Sequence, residues 1–239
     1  MTSRSSFPLT DRFSQALLLA AHWHHGQYRK VGPEETPTLP YISHLLGVAS
    51  VALEFGATED EAIAALLHDA LEDGPANTGQ DAERLRGELL DRFGLRVTVL
   101  VDDATDAAPR AGQAKAPWAE RKRAYLARLG ELPASSLLVS AADKLHNVRT
   151  MLVDVLALPD ADRPAYFERF QQGQLGTLQY YRALADAFTA AGDRLSERPR
   201  LRELFRELER TVSTLEAACG LSSDELRRTP SPLRLPSDH

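Results

Sequence analysis

The sequence predicts an all-α fold, and three observations carry that prediction. Residues suited to capping helix N-termini, Thr10, Ser43 and Thr58, stand just ahead of apolar stretches. Glycines close such stretches at the far end, Gly56 and Gly94 among them. A single segment, "LRVTVLVDDA", has enough β-branched residues to suit a strand, and it reads as a helix too. The expectation is one helical domain over residues 1–220 and a disordered tail over residues 221–239, where "LSSDELRRTPSPLRLPSDH" is polar and proline-rich.

Taken in order, Thr10 caps a first helix through "FSQALLLAAHWHHGQ", and "HLLGVASVALEF" forms a second after Ser43. The third runs through "ATEDEAIAALLHDA". Thr58 and Glu61 have capping-box spacing there, and the three acidic residues in its first turn suit the helix dipole. A fourth spans about Asp81 to Phe93, and "LRVTVLVDDA" is the candidate fifth. "TDAAPRAGQAKAP" reads as an exposed loop. Pro117 then suits the first helical position of "PWAERKRAYLARL". A long helix follows over "SSLLVSAADKLHNVRTMLVDVLAL", then two more near 176–190 and 199–218. The last of these is amphipathic and could cap the core or form an interface; the oligomeric state is not readable.

Bulk properties narrow the function classes. A chain of 239 residues can bury one generous core. Its 43% hydrophobic and 26% charged content is that of a folded protein rather than a disordered one. A net charge of −6 argues against nucleic acid as a partner, yet permits a local basic pocket for a phosphorylated small molecule. Cys219 is the sole cysteine and reads as a small buried hydrophobe, so no internal disulfide is expected and a reducing cytoplasm is the default. The opening "MTSRSSFPLTDRFS" lacks the apolar run of a secretion signal, and "ALLLAA" is too short to span a bilayer. A cytoplasmic protein without a membrane partner is expected.

Within the apolar third helix, "LLHDALED" places His68, Asp69, Glu72 and Asp73 in less than two turns. Burying such groups is costly unless they are paired or hold a metal. Residues four apart share a helix face, so His68 lies over Glu72 and Asp69 over Asp73. Imidazole with carboxylate suits Mn²⁺, Fe²⁺ or Zn²⁺ better than Ca²⁺ or Mg²⁺. Two other apolar helices carry potential ligands: His44 in "YISHLLGVA", and Asp143 in "LVSAADKLHNVRT". Taken singly, each reads as an ordinary polar residue at a helix edge. Three such interruptions in one chain point to convergence.

The ordered series "HHGQYRK", "PYISH", "AALLHDALED", "ATD", "WAERKRAYL", "ADKLHNVR" and "GTLQYYRAL" resembles the HD superfamily of metal-dependent phosphohydrolases. Within it the chain looks most like the hydrolase domains of RelA/SpoT proteins and the small alarmone hydrolases, the metazoan SpoT homologue included. The resemblance covers roughly residues 11 to 190 and implies a single HD-type helical domain. It implies one metal per chain, usually Mn²⁺ with Fe²⁺ or Zn²⁺ possible, held by His44, His68, Asp69 and Asp143. Glu72 and Asp73 correspond to the pair that orients and deprotonates the attacking water. Such a carboxylate, near the metal but not bound to it, can take the proton.

Substrate contacts follow from the same resemblance. Arg29 and Lys30 match positions that meet a guanine base and phosphates, although a basic helix end facing its own dipole is a competing reading. Asn147 and Thr150 match positions near a ribose. Lys144 and Arg149 could neutralise phosphate or serve as salt-bridge partners. Arg121 and Lys122 could face phosphates or simply line an amphipathic helix, and Tyr180 and Tyr181 read as core. Of the crowded histidines, His22 and His24 face apart, and His25 matches a recurrent position, read as structural or as a support to the ligands. His146 reads as exposed or as a support to the ligands.

The implied reaction removes the 3′-pyrophosphate of (p)ppGpp to give GDP or GTP. Two features put substrate choice in question: the long proline-rich link "VGPEETPTLP", and Leu45 where many relatives have proline. Alternatives are another phosphorylated nucleotide, such as the 2′-phosphate of NADPH or an adenine alarmone, or a nucleotide-binding regulator without catalysis.

Overall fold

The computed structural model describes residues 9–32, 34, 36–105 and 116–233. Among these, the chain is all-α: helices are joined by short turns, and pairing of extended chain is confined to an isolated bridge between Tyr28 and Pro40. The first half comprises α1 (Asp11–Trp23), α2 (Ile42–Glu54), α3 (Glu59–Leu67), α4 (Ala70–Thr78), α5 (Ala82–Phe93) and α6 (Leu95–Ala104). The second comprises α7 (Trp118–Leu129), α8 (Ala134–Leu156), α9 (Arg163–Tyr166), α10 (Gly173–Gly192), α11 (Pro199–Ala218) and α12 (Ser223–Arg228).

Helix α3 is the hub. Every residue from Glu61 to Leu67 is buried, and the helix packs against α1, α2, α6 and α8. A helix apolar on all sides needs neighbours on all sides. Its start is fixed by the expected capping box, in which Thr58 accepts from the Glu61 N–H and the Glu61 carboxylate accepts from the Thr58 N–H. Thr10, the N-cap of α1, donates its hydroxyl to Glu59 at 2.7 Å, and Arg12 pairs with Glu59 and Asp60. The two helix starts are thereby tied together. The 23-residue α8 runs along α2 and α3 on one side and α11 on the other, so it joins the two halves of a continuous core.

Several local expectations are refined. The "LRVTVLVDDA" segment is helical, because Val97, Leu100 and Val101 all turn into the core at helical spacing. Ser43 does not cap α2; the helix begins at Ile42, and the Ser43 hydroxyl donates back to the Pro40 carbonyl at 2.8 Å. Gly56 does end α2, with φ of +84°, a conformation that glycine adopts without strain. Pro117 sits one residue earlier than expected, at the N-cap of α7. The long helical pattern through "HDALED" is interrupted: α3 ends at Leu67 and α4 starts at Ala70, with His68 and Asp69 at the break. Cys219 is half-buried at the C-cap of α11.

The disordered tail needs correcting for residues 221–233. Ser222 and Glu225 form a second capping box, α12 follows, and Leu226 is buried. The Arg182 side chain, 2% exposed, donates to Ser223 at 2.8 Å and pairs with Glu209 and Glu216. Residues 234–239, like most of the expected 105–117 loop, lie outside the described residues.

Candidate active site

The site forms where α2, the α3–α4 break and α8 meet. Helix α2 delivers His44 in its first turn, the break delivers His68 and Asp69, and the middle of α8 delivers Asp143. His44, His68 and Asp69 each bring one donor atom within 4.8 Å of the others. Asp143 Oδ1 lies 3.2 Å from His44 Nε2 and 3.6 Å from His68 Nε2. Asp69 Oδ2 lies 3.0 Å from His68 Nε2 and 3.7 Å from His44 Nε2. Four residues scattered over 100 positions of sequence thus converge on one small volume.

The donor set fits a divalent cation. His68 Nδ1 is 2.9 Å from the Ala65 carbonyl, which can only accept, so the proton sits on Nδ1. That leaves a lone pair on Nε2, which is buried and makes no well-angled hydrogen bond. Two carboxylates and two imidazoles supply mixed oxygen and nitrogen ligands whose charge balances a 2+ ion. Without that positive charge the burden falls on the histidines. Burial opposes charge on His68, but Asp69 and Asp143 raise its pKa well above the usual value. Burial dominates at His44 and lowers it. Burial alone would raise the Asp69 carboxyl, yet His68 beside it holds it below the usual range. Asp143 is depressed in the same way, mainly by Lys144 against its own burial.

A ring of polar residues surrounds the four. The Tyr41 hydroxyl donates to Asp69 Oδ2 at 2.5 Å. Lys144 donates to Asp143 Oδ2 at 2.6 Å while its ammonium lies 5.2 Å from the Tyr125 ring centroid. Asn147 donates to Asp143 Oδ1 at 2.6 Å and accepts from Arg29 at 2.9 Å. His146 faces His44, Nδ1 to Nδ1, at 2.9 Å. Burial, and then the neighbouring His44 and Arg29, push the His146 pKa down to about 4. Asp73 accepts from Gln27 at 2.7 Å; burial, and then the Asp69 charge, raise its carboxyl. Glu72 is half-buried one turn after His68.

Other predicted residues are placed less centrally. Lys30 is exposed, and Thr150 donates to the His146 carbonyl at 3.0 Å. Arg149 pairs with Glu207 of α11 and is a bridge between helices. Lys122 lies 4.8 Å from the Tyr180 ring centroid; Tyr180 and Tyr181 are both buried. The "VGPEETPTLP" link is pinned at its base: Arg29 N–H donates to the Leu39 carbonyl and Tyr41 N–H to the Gln27 carbonyl, both at 2.9 Å. Among the histidines, His25 is exposed, and His24 is the buried one, stacked on Tyr41 with centroids 5.3 Å apart. Sequence reasoning gave no role to Tyr41 or Gln27, although both stand in the motif stretches "PYISH" and "HHGQ".

The family model for the HD domain matches residues 16–166, which is more than half of the chain and includes all four converging residues. The chain belongs to the HD domain family. This HD domain protein is 34% identical to the guanosine-3′,5′-bis(diphosphate) 3′-pyrophosphohydrolase MESH1 of Drosophila melanogaster, over 60% of this chain and 71% of that one. It is 37% identical to the Mus musculus MESH1 over 57% of this chain and 68% of the other. A Streptomyces coelicolor GTP pyrophosphokinase shares 36% identity over 59% of this chain, and the match spans 15% of that much longer relative. A solved structure, described as a metazoan ortholog of SpoT that hydrolyses ppGpp, superposes with a TM-score of 0.57 at 25% identity. That match covers 86% of this chain and 97% of the other.

Proposed function

We propose that this HD domain protein is a metal-dependent phosphohydrolase that removes the 3′-pyrophosphate of (p)ppGpp, giving GDP or GTP and pyrophosphate. The observation that carries the reading is the convergence of His44, His68, Asp69 and Asp143 around one buried volume. The names of the MESH1 relatives support the substrate. We assign these four residues as ligands of one divalent ion per chain, Mn²⁺ first, with Fe²⁺ or Zn²⁺ as alternatives. Such an ion supplies Lewis acidity and makes water more acidic.

The protein's own groups do the rest. Asp73, raised by burial and the adjacent Asp69 charge, is suited to take a proton from the attacking water; Glu72 shares its helix turn and would orient that water. The water oxygen joins the phosphorus attached to O3′, the P–O3′ bond breaks so that pyrophosphate departs with that oxygen, and O3′ takes up one proton, the equivalent of the one Asp73 removes from the water. Arg29, bonded to Asn147 beside the cluster, would present a flat cation to a base or phosphate, and we assign Lys30, Asn147 and Thr150 as further substrate contacts. Lys144, held against Asp143, would offset the negative charge that gathers there. The proposed partner is a small phosphorylated nucleotide in the cytoplasm. Among the described residues no helix is long and apolar enough to cross a membrane.

The test is pyrophosphate release from ppGpp by purified protein with added Mn²⁺, with Asp69→Asn as the control. Release that falls by at least about 100-fold in the variant supports both reaction and metal site. Metal uptake without release would overturn the alarmone assignment and turn attention to NADPH and other nucleotides.

A further inference from the structure

His44 differs from His68 in one respect that matters for ligation. The Nδ1 of His68 faces a carbonyl, which fixes the tautomer by itself. The Nδ1 of His44 faces another imidazole nitrogen, Nδ1 of His146, which can accept or donate. Nothing within α2 settles which nitrogen of His44 carries the proton; the group that faces its Nδ1 is His146 of α8.

The position of His146 is itself imposed. It sits on α8, and its ring crosses onto α2 directly over Gly47, one turn beyond His44. A methyl group at Gly47 would come within 2.0 Å of His146 Nε2 and 2.2 Å of its Cδ2. Gly47 lies inside a helix with ordinary backbone geometry, where alanine would be the better helix former. The volume that a side chain at position 47 would need is therefore filled by the His146 ring. The ring centroids of His44 and His146 are 4.9 Å apart, so no other group fits between them.

We propose that His146 is a positioning residue for the metal centre: its Nδ1 accepts the His44 Nδ1 proton and so presents the His44 Nε2 lone pair to the cation, and Gly47 is the cavity that lets it do so. This rests on the metal reading above. The partner of a ligating histidine commonly tunes metal affinity by 10–100-fold. In this protein the role depends on a pair, His146 and Gly47, of which neither is a ligand.

Mn²⁺ titration calorimetry on the full chain tests it, using His146→Ala, His146→Asn, Gly47→Ala and the Gly47→Ala/His146→Ala double variant, with melting temperature recorded for each. His146→Ala should weaken binding by about 10–100-fold. His146→Asn, whose amide oxygen can accept near the Nδ1 position, should recover most of that loss. Gly47→Ala should weaken binding to a similar degree by displacing the ring. Added to His146→Ala, it should cost no further affinity and should raise the melting temperature by about 2–4 °C. Undiminished Mn²⁺ binding by His146→Ala and His146→Asn would overturn the role of His146 while leaving the metal site intact. Losses that add in the double variant would overturn the link to Gly47. Wild-type protein that takes up no Mn²⁺ would overturn the metal reading and this proposal together.

Discussion

The Tyr41 hydroxyl donates to the same Asp69 oxygen, Oδ2, that lies 3.0 Å from His68 Nε2. The chain leading into α2 thus holds the carboxylate turned toward the imidazoles. The tyrosine is fixed in turn, stacked on His24 and lying 5.8 Å from the Arg29 guanidinium. Tyr41→Phe keeps the ring and removes the hydroxyl. A hydrogen bond to a charged acceptor is worth about 1.5–3 kcal/mol, and supports of this kind tune metal affinity by about 10–100-fold. We expect Mn²⁺ affinity to fall by about 10-fold. Equal affinity in a side-by-side titration would show that Asp69 keeps its orientation without help.

Gln27 does for Asp73 what Tyr41 does for Asp69. Its Oε1 lies 2.6 Å from His24 Nδ1 and accepts from Asn77 at 2.7 Å, which leaves the amide nitrogen to donate to Asp73. Because an amide oxygen only accepts, the orientation of Gln27 is forced, and so is the proton on His24 Nδ1. A well-placed general base contributes about 10²–10⁴-fold to rate. On the proposed role of Asp73 as base, Gln27→Leu should forfeit part of that, lowering kcat for ppGpp hydrolysis by about 10-fold or more with KM little changed. A rise in KM at constant kcat would instead place Gln27 in substrate binding.

These two residues show where sequence reading stops. Thr10, Thr58 with Glu61, and Gly56 act on chain within one turn of themselves, so their helices were legible. His44, His68, Asp69 and Asp143 stood out as ligand types interrupting apolar helices. Tyr41, Gln27 and Gly47 carry no such local signal, since each matters only through a neighbour brought in by packing. Gly47 is fully explained only by a ring 99 positions away. The histidine run failed for a different reason. Each residue turns a helix by about 100°, so which of His22, His24 and His25 points inward depends on where α1 ends. It ends at Trp23, and His24 at the C-cap turns in.

Glu61 gives a pH dependence of stability. It is fully buried, caps α3 and accepts from Arg198 of the α10–α11 connection at 2.8 Å and 3.3 Å. Burial acts to raise its carboxyl, but Arg198 and the other donors around it win, and its pKa is lowered. A depressed folded pKa means that the unfolded chain binds the proton first as pH falls. The stabilisation is complete above the unfolded carboxyl value, about 4.3, and is lost as pH drops through the lower folded value. Glu61→Gln should therefore cost about 2–3 kcal/mol at pH 7. That gap should narrow in urea denaturation series run progressively below pH 4. A gap that is constant with pH would assign the effect to capping geometry rather than to charge.

Helix α12 should behave as part of the folded unit. Its composition suggested disorder because six helical residues with one apolar side chain barely register against the prolines around them. Yet Leu226 is buried between elements, and Arg227 pairs with Asp186 of α10 at 2.7 Å. On the other side, Ser223 bridges Arg182 and Glu216, at 2.8 Å and 2.5 Å, two charged groups otherwise sealed in the core. Exposed ion pairs such as Arg227–Asp186 contribute little, so the weight falls on Leu226 and on Ser223. Leu226→Ala should destabilise the protein by about 2–3 kcal/mol, at the low end for a buried leucine because α12 lies at the edge of the core. Ser223→Ala should cost about 1–2 kcal/mol by leaving Arg182 and Glu216 short of a partner. Since α12 packs on α10 and the His44–Asp143 cluster is built from α2, the α3–α4 break and α8, kcat/KM at temperatures well below the melting point should stay within about twofold of wild type for both. Wild-type stability in Leu226→Ala would mean that α12 does not pack in solution as it does here.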